Sequence, residues 1–302
     1  MRILTAGASG FLGTALVTRL RAAGHEVVRL VRRDPRDGDE RRWSPGREPL
    51  DPALLAGVDA VVNLAGAGVA DRRWNQEYQA VLRDSRLEST GTLARALADA
   101  GDGPRVLLNA SAVGFYGDRG EAELTEQAPA GQGFFARLCQ DWEAATGPAA
   151  AAGVRVVHLR TGLVLGPSGG LLAPLLPLFR LGLGGRLGSG RQWMPWISLA
   201  DEIGAIEHLL APASTVSGAV NLTAPAPVRN SEFTQTLGRV LHRPAVLPVP
   251  AAAMRLAVGG FAAEALASQR VLPRRLAGDG YAFEHPDLSS ALHWALHQAL
   301  RR

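Results

Sequence analysis

The sequence predicts an α/β fold: an open, doubly wound parallel sheet followed by a smaller α/β lobe. Three observations carry this. Short apolar runs alternate with helical patterns through the first half of the chain. Each run is rich in Val, Leu or Ile. A glycine-rich turn joins the first run to the first helical pattern, at Gly7, Gly10 and Gly13.

That turn is the most informative stretch. Ile3 and Leu4 lead into Gly7-Ala8-Ser9-Gly10-Phe11-Leu12-Gly13, and a helix follows through Leu16, Val17 and Leu20. A strand, a Gly-rich turn and a helix N-terminus together suit a diphosphate. Free N–H groups and the helix dipole attract the anion, and a missing Cβ lets it approach. Gly7 lets the chain turn, Gly10 brings the backbone close to phosphate, and Gly13 lets the helix pack on the strand. The fold is therefore expected to be Rossmann-type. Gly7, Ser9, Gly10, Phe11, Leu12 and Gly13 are its expected cofactor contacts.

Further strands are expected at 2–6, 26–31, 58–64, 105–110 and 154–160, with helices near 11–23, 75–100 and 133–152. Residues 35–52 read as a polar surface loop. The second strand ends at Arg32-Arg33-Asp34, where the adenosine ribose is met. Two guanidinium groups match a 2′-phosphate, so NADP is expected, and NAD fits less well. Asn63-Leu64-Ala65-Gly66 leave room for the cofactor at the end of the third expected strand in the sheet core, 58–64. The cofactor domain is expected over 1–167, with a returning segment at about 195–224. A small substrate lobe is expected over 168–194 and 225–302.

Composition narrows the class. The chain of 302 residues is 47% hydrophobic and 20% charged. It has no apolar run long enough for a membrane span and no signal-peptide layout. The net charge of +4 is spread among Asp and Glu, so neither nucleic acid nor a membrane is an expected partner. One cysteine, Cys139, fits a reducing cytoplasm. All 32 basic residues are arginine. Arginine stays protonated and makes a poor proton shuttle.

The turn Gly7-x-x-Gly10-x-x-Gly13 with Thr5 ahead of it resembles the extended short-chain dehydrogenase/reductases. Longer motifs narrow the likeness: Ser111 to Gly117, Cys139-x-x-Trp142-Glu143, Leu159 to Pro167, and Leu181 to Trp193. Together they resemble an atypical epimerase-like family that carries a C-terminal domain of unknown function. The resemblance covers essentially the whole chain. It implies NADP binding, with Arg86 in the long helix taking the place of the usual Asn, and no settled substrate.

In extended members a Ser at the strand end polarises the substrate oxygen. A Tyr about 24 residues on moves the proton, and a Lys four further lowers its pKa. Ser111 fits the first role and is also an expected cofactor contact. Phe135 and Cys139 stand at the other two positions, so the usual Tyr-x-x-x-Lys pair is absent. Tyr116 and Cys139 remain as acid/base or nucleophile candidates. Each has a plainer reading as a packed side chain.

In the second lobe, Arg186, Arg191 and Trp193 are candidate contacts for a small polar or anionic substrate. Ser198 or Asp201 caps a helix, and Asp201 and Glu202 favour its positive end without catalytic work. Glu121, Glu123 and Glu126 read as a solvated loop. His293 and His297 lie four apart on a helix but lack a third ligand, so no metal site is expected. The activity expected is an NADP-dependent oxidoreductase or epimerase on a small molecule. The rival is a non-catalytic NADP(H) sensor or partner-binding module. The chain could be a monomer or a homodimer.

Overall fold

The computed structural model describes residues 1–167 and 169–300. Ser168, Arg301 and Arg302, assigned above to the C-terminal lobe, lie outside the described residues. Seven strands form one parallel sheet: β1 (Arg2–Ala6), β2 (Glu26–Val31), β3 (Glu40–Arg42), β4 (Ala60–Asn63), β5 (Val106–Ala112), β6 (Arg155–Thr161) and β7 (Gly218–Leu222). Their order is β7-β6-β5-β4-β1-β2-β3. The order reverses direction at β1, where β4 lies on one side and β2 on the other. In open parallel sheets such a switch point is where ligands bind, at the strands' carboxyl ends.

Helices cover both faces. On one face α1 (Phe11–Ala22) and α6 (Leu199–Leu210) bury Leu16, Val17, Leu20, Ile203, Ile206 and Leu209. These pack on Ile3, Val62, Leu108, Val157 and Leu159. On the other face α2 (Gln76–Asp99) and α4 (Gly147–Ala151) pack Leu93, Leu97 and Ala149 on Leu4, Val61, Leu107 and Val156. Adjacent residues along each central strand thus serve opposite faces, so those strands carry apolar residues on both faces.

The C-terminal lobe has its own core. Helices α5 (Leu172–Arg180) and α7 (Asn230–Val240) and the helix Leu288–Leu300 enclose Phe179, Trp196, Phe233, Leu237 and Leu292.

Three expectations change. Residues 35–52 are not only a loop: Glu40–Arg42 adds an edge strand on β2, and Trp43 and Leu50 are buried. The strand pairs through its backbone, and its Glu-Arg-Arg sequence carries no apolar signal. The helix expected over 133–152 is two helices, α3 (Phe134–Ala144) and α4. The break falls at Gly147-Pro148, where proline has no N–H to continue the ladder. Strand β5 runs to Ala112, two residues beyond its expected end. That extension decides where Ser111 points.

Candidate cofactor cleft

The glycine turn is built by close backbone approaches. Gly7 has φ +80°, and a Cβ there would lie 2.5 Å from the Leu64 carbonyl carbon. A Cβ on Gly13 would lie 2.1 Å from the Gly7 oxygen. Gly10 is different, since a Cβ would meet only the Gly7 oxygen, at 3.4 Å. Gly10 begins α1 with no side-chain cap, and Ser9 and Gly10 are exposed. The first turn of α1, with Phe11 and Leu12 half-buried, therefore begins without a side-chain cap on its N–H groups. The Phe11 ring turns away and packs where Gly166 and Gly169 lack a Cβ.

The turn after β4 forms the facing wall. Asn63 was expected among the cofactor contacts, but it is wholly buried. Its Nδ2 donates to Asn109 Oδ1 at 2.7 Å and Thr90 Oγ1 at 3.1 Å, and its Oδ1 accepts from the Ala65 N–H at 3.1 Å. Asn63 shapes the turn from below. Leu64, Ala65 and Gly66 present themselves to the cleft.

Arg86 lies behind Gly66, whose absent Cβ would sit 3.3 Å from its side chain. It is 7% exposed. Nη1 donates to the Leu82 carbonyl at 3.0 Å, Nε has no partner, and the Trp142 ring centroid is 5.0 Å away. Burial pulls its pKa down. No carboxylate pairs with it among the described residues. A buried cation with an unused donor is costly unless an anion meets it.

At the end of β2 the two arginines part. Arg33 places Nη1 and Nη2 on the Glu40 carboxylate at 2.7 and 2.6 Å. Arg33 leads in holding the Glu40 carboxyl down at about 2. Arg32 is exposed and has no ion pair among the described residues. Asp34 pairs with Arg42 at 2.8 Å. The acidic groups here are thus engaged by arginine.

The expected catalytic corner is filled. Along β5, Ala110 and Ala112 are half-buried, whereas Ser111 is buried on the opposite face. Ser111 Oγ donates to Glu143 Oε1 at 2.7 Å. Glu143 also receives Arg160 Nε and Nη2, both at 2.8 Å. Burial works against the Arg160 charge, but Glu143 holds its pKa raised. Ser111, expected on a substrate oxygen, therefore takes part in a buried ion network in this structure.

Tyr116 belongs to the same network. It is wholly buried, donates to Asn221 Oδ1 at 2.6 Å and accepts from Arg160 Nη1 at 3.0 Å. Burial raises its pKa, with Arg160 opposing. This matches its packed reading. Phe135 stands where a tyrosine was expected, with its ring against Gly114. Cys139 is wholly buried, and burial pushes its thiol up to about 12 although Arg86 pulls down. A thiolate nucleophile is not available in this arrangement.

The proposed substrate residues are not gathered into one site. Arg186 Nη1 donates to the carbonyls of Gly188 and Ser189 in its own loop. Trp193 is stacked between Arg229 and Arg270, with centroid distances of 4.6 and 4.9 Å, and its Nε1 donates to Glu121. Glu121 is exposed, as its solvated reading expects, and also pairs with Arg229, which leads in holding its carboxyl at about 2. Arg191 remains exposed. His293 and His297 are exposed, and no group of three ligating side chains gathers among the described residues.

With this geometry established, known proteins can be set beside it. The NAD dependent epimerase/dehydratase family matches residues 3–222, and a domain of unknown function, DUF1731, matches residues 249–295. An epimerase family protein of Mycobacterium tuberculosis is 49% identical over 294 residues, 97% of each chain. The human epimerase family protein SDR39U1 is 40% identical over 299 residues, 97% of this chain and 98% of its own. A crystal structure of human SDR39U1 (isoform 2) with NADPH superposes with a TM-score of 0.90 at 38% identity, covering 98% of this chain and 99% of that one. A nucleoside-diphosphate sugar epimerase from Corynebacterium glutamicum gives 0.81 at 34% identity, covering 98% of this chain and 58% of that one. The matches in sequence and in fold cover almost the whole chain, and the chain belongs to the NAD dependent epimerase/dehydratase family.

Proposed function

We propose that the protein binds NADP(H) across the carboxyl ends of β1, β4 and β5 and acts on a small polar or anionic molecule as an oxidoreductase or epimerase. One contiguous feature carries the reading. The uncapped start of α1, the Leu64–Gly66 turn and the buried, unpaired Arg86 adjoin one another through Gly7 and Gly66. Such an arrangement suits a diphosphate and the groups attached to it. The NADPH bound by human SDR39U1 supports the choice of cofactor.

When bound, the nicotinamide supplies or takes a hydride. The chain's own part is to bind and orient. Arg32 would meet the 2′-phosphate, backed by the Arg33–Glu40 pair. Arg33 and Arg42 pair with the carboxylates that would otherwise be free to hold a ribose 2′-hydroxyl, which disfavours NAD. Ala110 and Ala112 leave room at the strand ends, and Arg191 of the lobe's Gly-rich loop is exposed with no ion pair among the described residues. No nucleic-acid or membrane partner is part of this reading, which places the protein in the cytoplasm.

A second reading is a non-catalytic NADP(H) sensor. The commitment of Ser111, Tyr116 and Cys139 to buried contacts favours it. Titration with NADPH and NADH, followed by single-turnover absorbance at the reduced nicotinamide band with carbonyl compounds and quinones, separates the two. Oxidation of bound NADPH by any of them supports the enzyme. Tight binding without oxidation supports the sensor. No binding overturns both.

A further inference from the structure

From the sequence, Glu202 is a carboxylate in the first turns of a helix with no chemistry of its own. In the structure it is wholly buried. Oε1 accepts from Thr161 Oγ1 at 2.8 Å, and Oε2 has no partner. Burial pushes the carboxyl up to about 8, against the Thr161 hydrogen bond. The group is therefore an acid that holds its proton near neutrality.

The charged groups around it are committed elsewhere. Asp201, its neighbour on α6, accepts from Tyr281 and from the N–H groups of Glu284 and His285. His285 Nδ1 lies 3.2 Å from Ser198 Oγ and 3.6 Å from Asp201. Arg19 of α1 pairs with Glu207 at the surface. Arg160 and His158 of β6 lie with Glu143 on the opposite face of the sheet.

Thr161 connects this acid to the cleft. It is the last residue of β6 and pairs in register with Ala112 of β5 and Leu222 of β7. It is half-buried at the strand end, and its Oγ1 lies 2.8 Å from Glu202 Oε1 and 3.4 Å from the Leu159 carbonyl. Thr223 lies against the next residue: its Cγ2 is 3.0 Å from where a Gly162 Cβ would stand. Its hydroxyl is also buried and unpartnered.

We propose that Glu202 is a proton site linked to the charge of the nicotinamide, holding its proton beside the reduced cofactor and releasing it through Thr161 beside the oxidised, cationic one. This rests on the NADP(H) reading above. A cation near the ends of β5 and β6 favours the carboxylate, and the burial of Glu202 weakens solvent screening of that attraction. In reduction of a carbonyl, a hydride goes to carbon and a proton to oxygen. Glu202 would give that proton through Thr161 Oγ, remain as the carboxylate, and regain a proton from water after the oxidised cofactor leaves. It would replace the source that Phe135 and Cys139 do not provide.

The test needs no substrate. Kd values for NADP⁺ and NADPH are measured from pH 6 to 9 for wild type and Glu202→Gln. The 2′-phosphate titrates near ~6 in both nucleotides and cancels in their ratio. In wild type, Kd for NADP⁺ relative to NADPH should fall as pH rises, roughly tenfold in all for each unit by which the cation lowers the Glu202 pKa. Glu202→Gln should give a flat ratio. Calorimetry of wild type near pH 7, in buffers of different ionisation enthalpy, should show more proton release with NADP⁺ than with NADPH, the 2′-phosphate contribution being common to both. It decides the matter even if the variant fails to fold. A flat wild-type ratio without that excess proton release overturns the proposal, as does an equal slope in Glu202→Gln. Failure of wild type to bind either nucleotide overturns the underlying NADP(H) reading instead.

Discussion

The cofactor cradle and the expected catalytic corner lie at neighbouring strand ends, yet they are built in opposite ways. The cradle is made by omission: Gly7, Gly13 and Gly66 have no Cβ where backbone or Arg86 comes close. The start of α1 has no side-chain cap, and the buried Arg86 Nε has no partner among the described residues. The corner is made by completion. Ser111, Tyr116, Glu143 and Arg160 satisfy one another, and Phe135 and Cys139 fill the remaining space with apolar or inert atoms. Unsatisfied groups await a ligand, whereas satisfied ones hold a fold.

This contrast can be broken by substitution. The largest effect is expected for Glu143→Ala, which leaves Arg160 buried without its carboxylate. A loss of about 3–5 kcal/mol in denaturant unfolding is expected. A smaller loss, with intact nucleotide binding, would show that the network is not structural.

Glu202→Gln should act in the opposite direction at high pH. The folded carboxyl titrates at about 8, above its ordinary value of 4.5. The folded state therefore binds the extra proton between those values. Wild-type stability should fall as pH rises through that window and level off above it. Relative to wild type, Glu202→Gln should gain on the order of a few kcal/mol by pH 9 and nothing below pH ~4.5. Stability curves that run parallel would contradict the burial argument.

Gly7→Ala adds a Cβ at a positive φ and against the Leu64 carbonyl. It should cost about 1–3 kcal/mol and weaken nucleotide binding, because the turn must shift. Unaltered binding would deny the cradle its role. The smallest effects belong to the corner's outer members. Ser111→Ala and Tyr116→Phe should each cost about 1 kcal/mol, with nucleotide affinity unchanged. A loss of affinity in either would return that side chain to the site.

Much of the fold is legible in the chain because parallel strands and their helices announce themselves by composition. Six of the seven sheet strands are apolar runs. The seventh, Glu40–Arg42, pairs through its backbone and is invisible to any hydrophobic pattern. The cradle is legible for a related reason: glycine spacing encodes backbone geometry directly. The corner is not, because side-chain direction depends on where a strand ends. Two more residues of β5 turn Ser111 from the cleft to Glu143. Glu202 is equally hidden, since a carboxylate in a helix's first turns gives no sign that its helix is packed face-down on the sheet. The signal available was the apolar run Ile203, Ala205, Ile206 and Leu209 flanking it.

In the proposed function, the end of β2 selects the phosphorylated cofactor through Arg32. The direct measurement is a paired titration of wild type and Arg32→Ala with NADPH and NADH at fixed ionic strength. Wild type should prefer NADPH. The substitution should remove about 1.5–3 kcal/mol of NADPH binding, ten- to more than a hundredfold in Kd, and leave NADH nearly unchanged. Equal loss for both nucleotides, or no preference in wild type, would contradict the account.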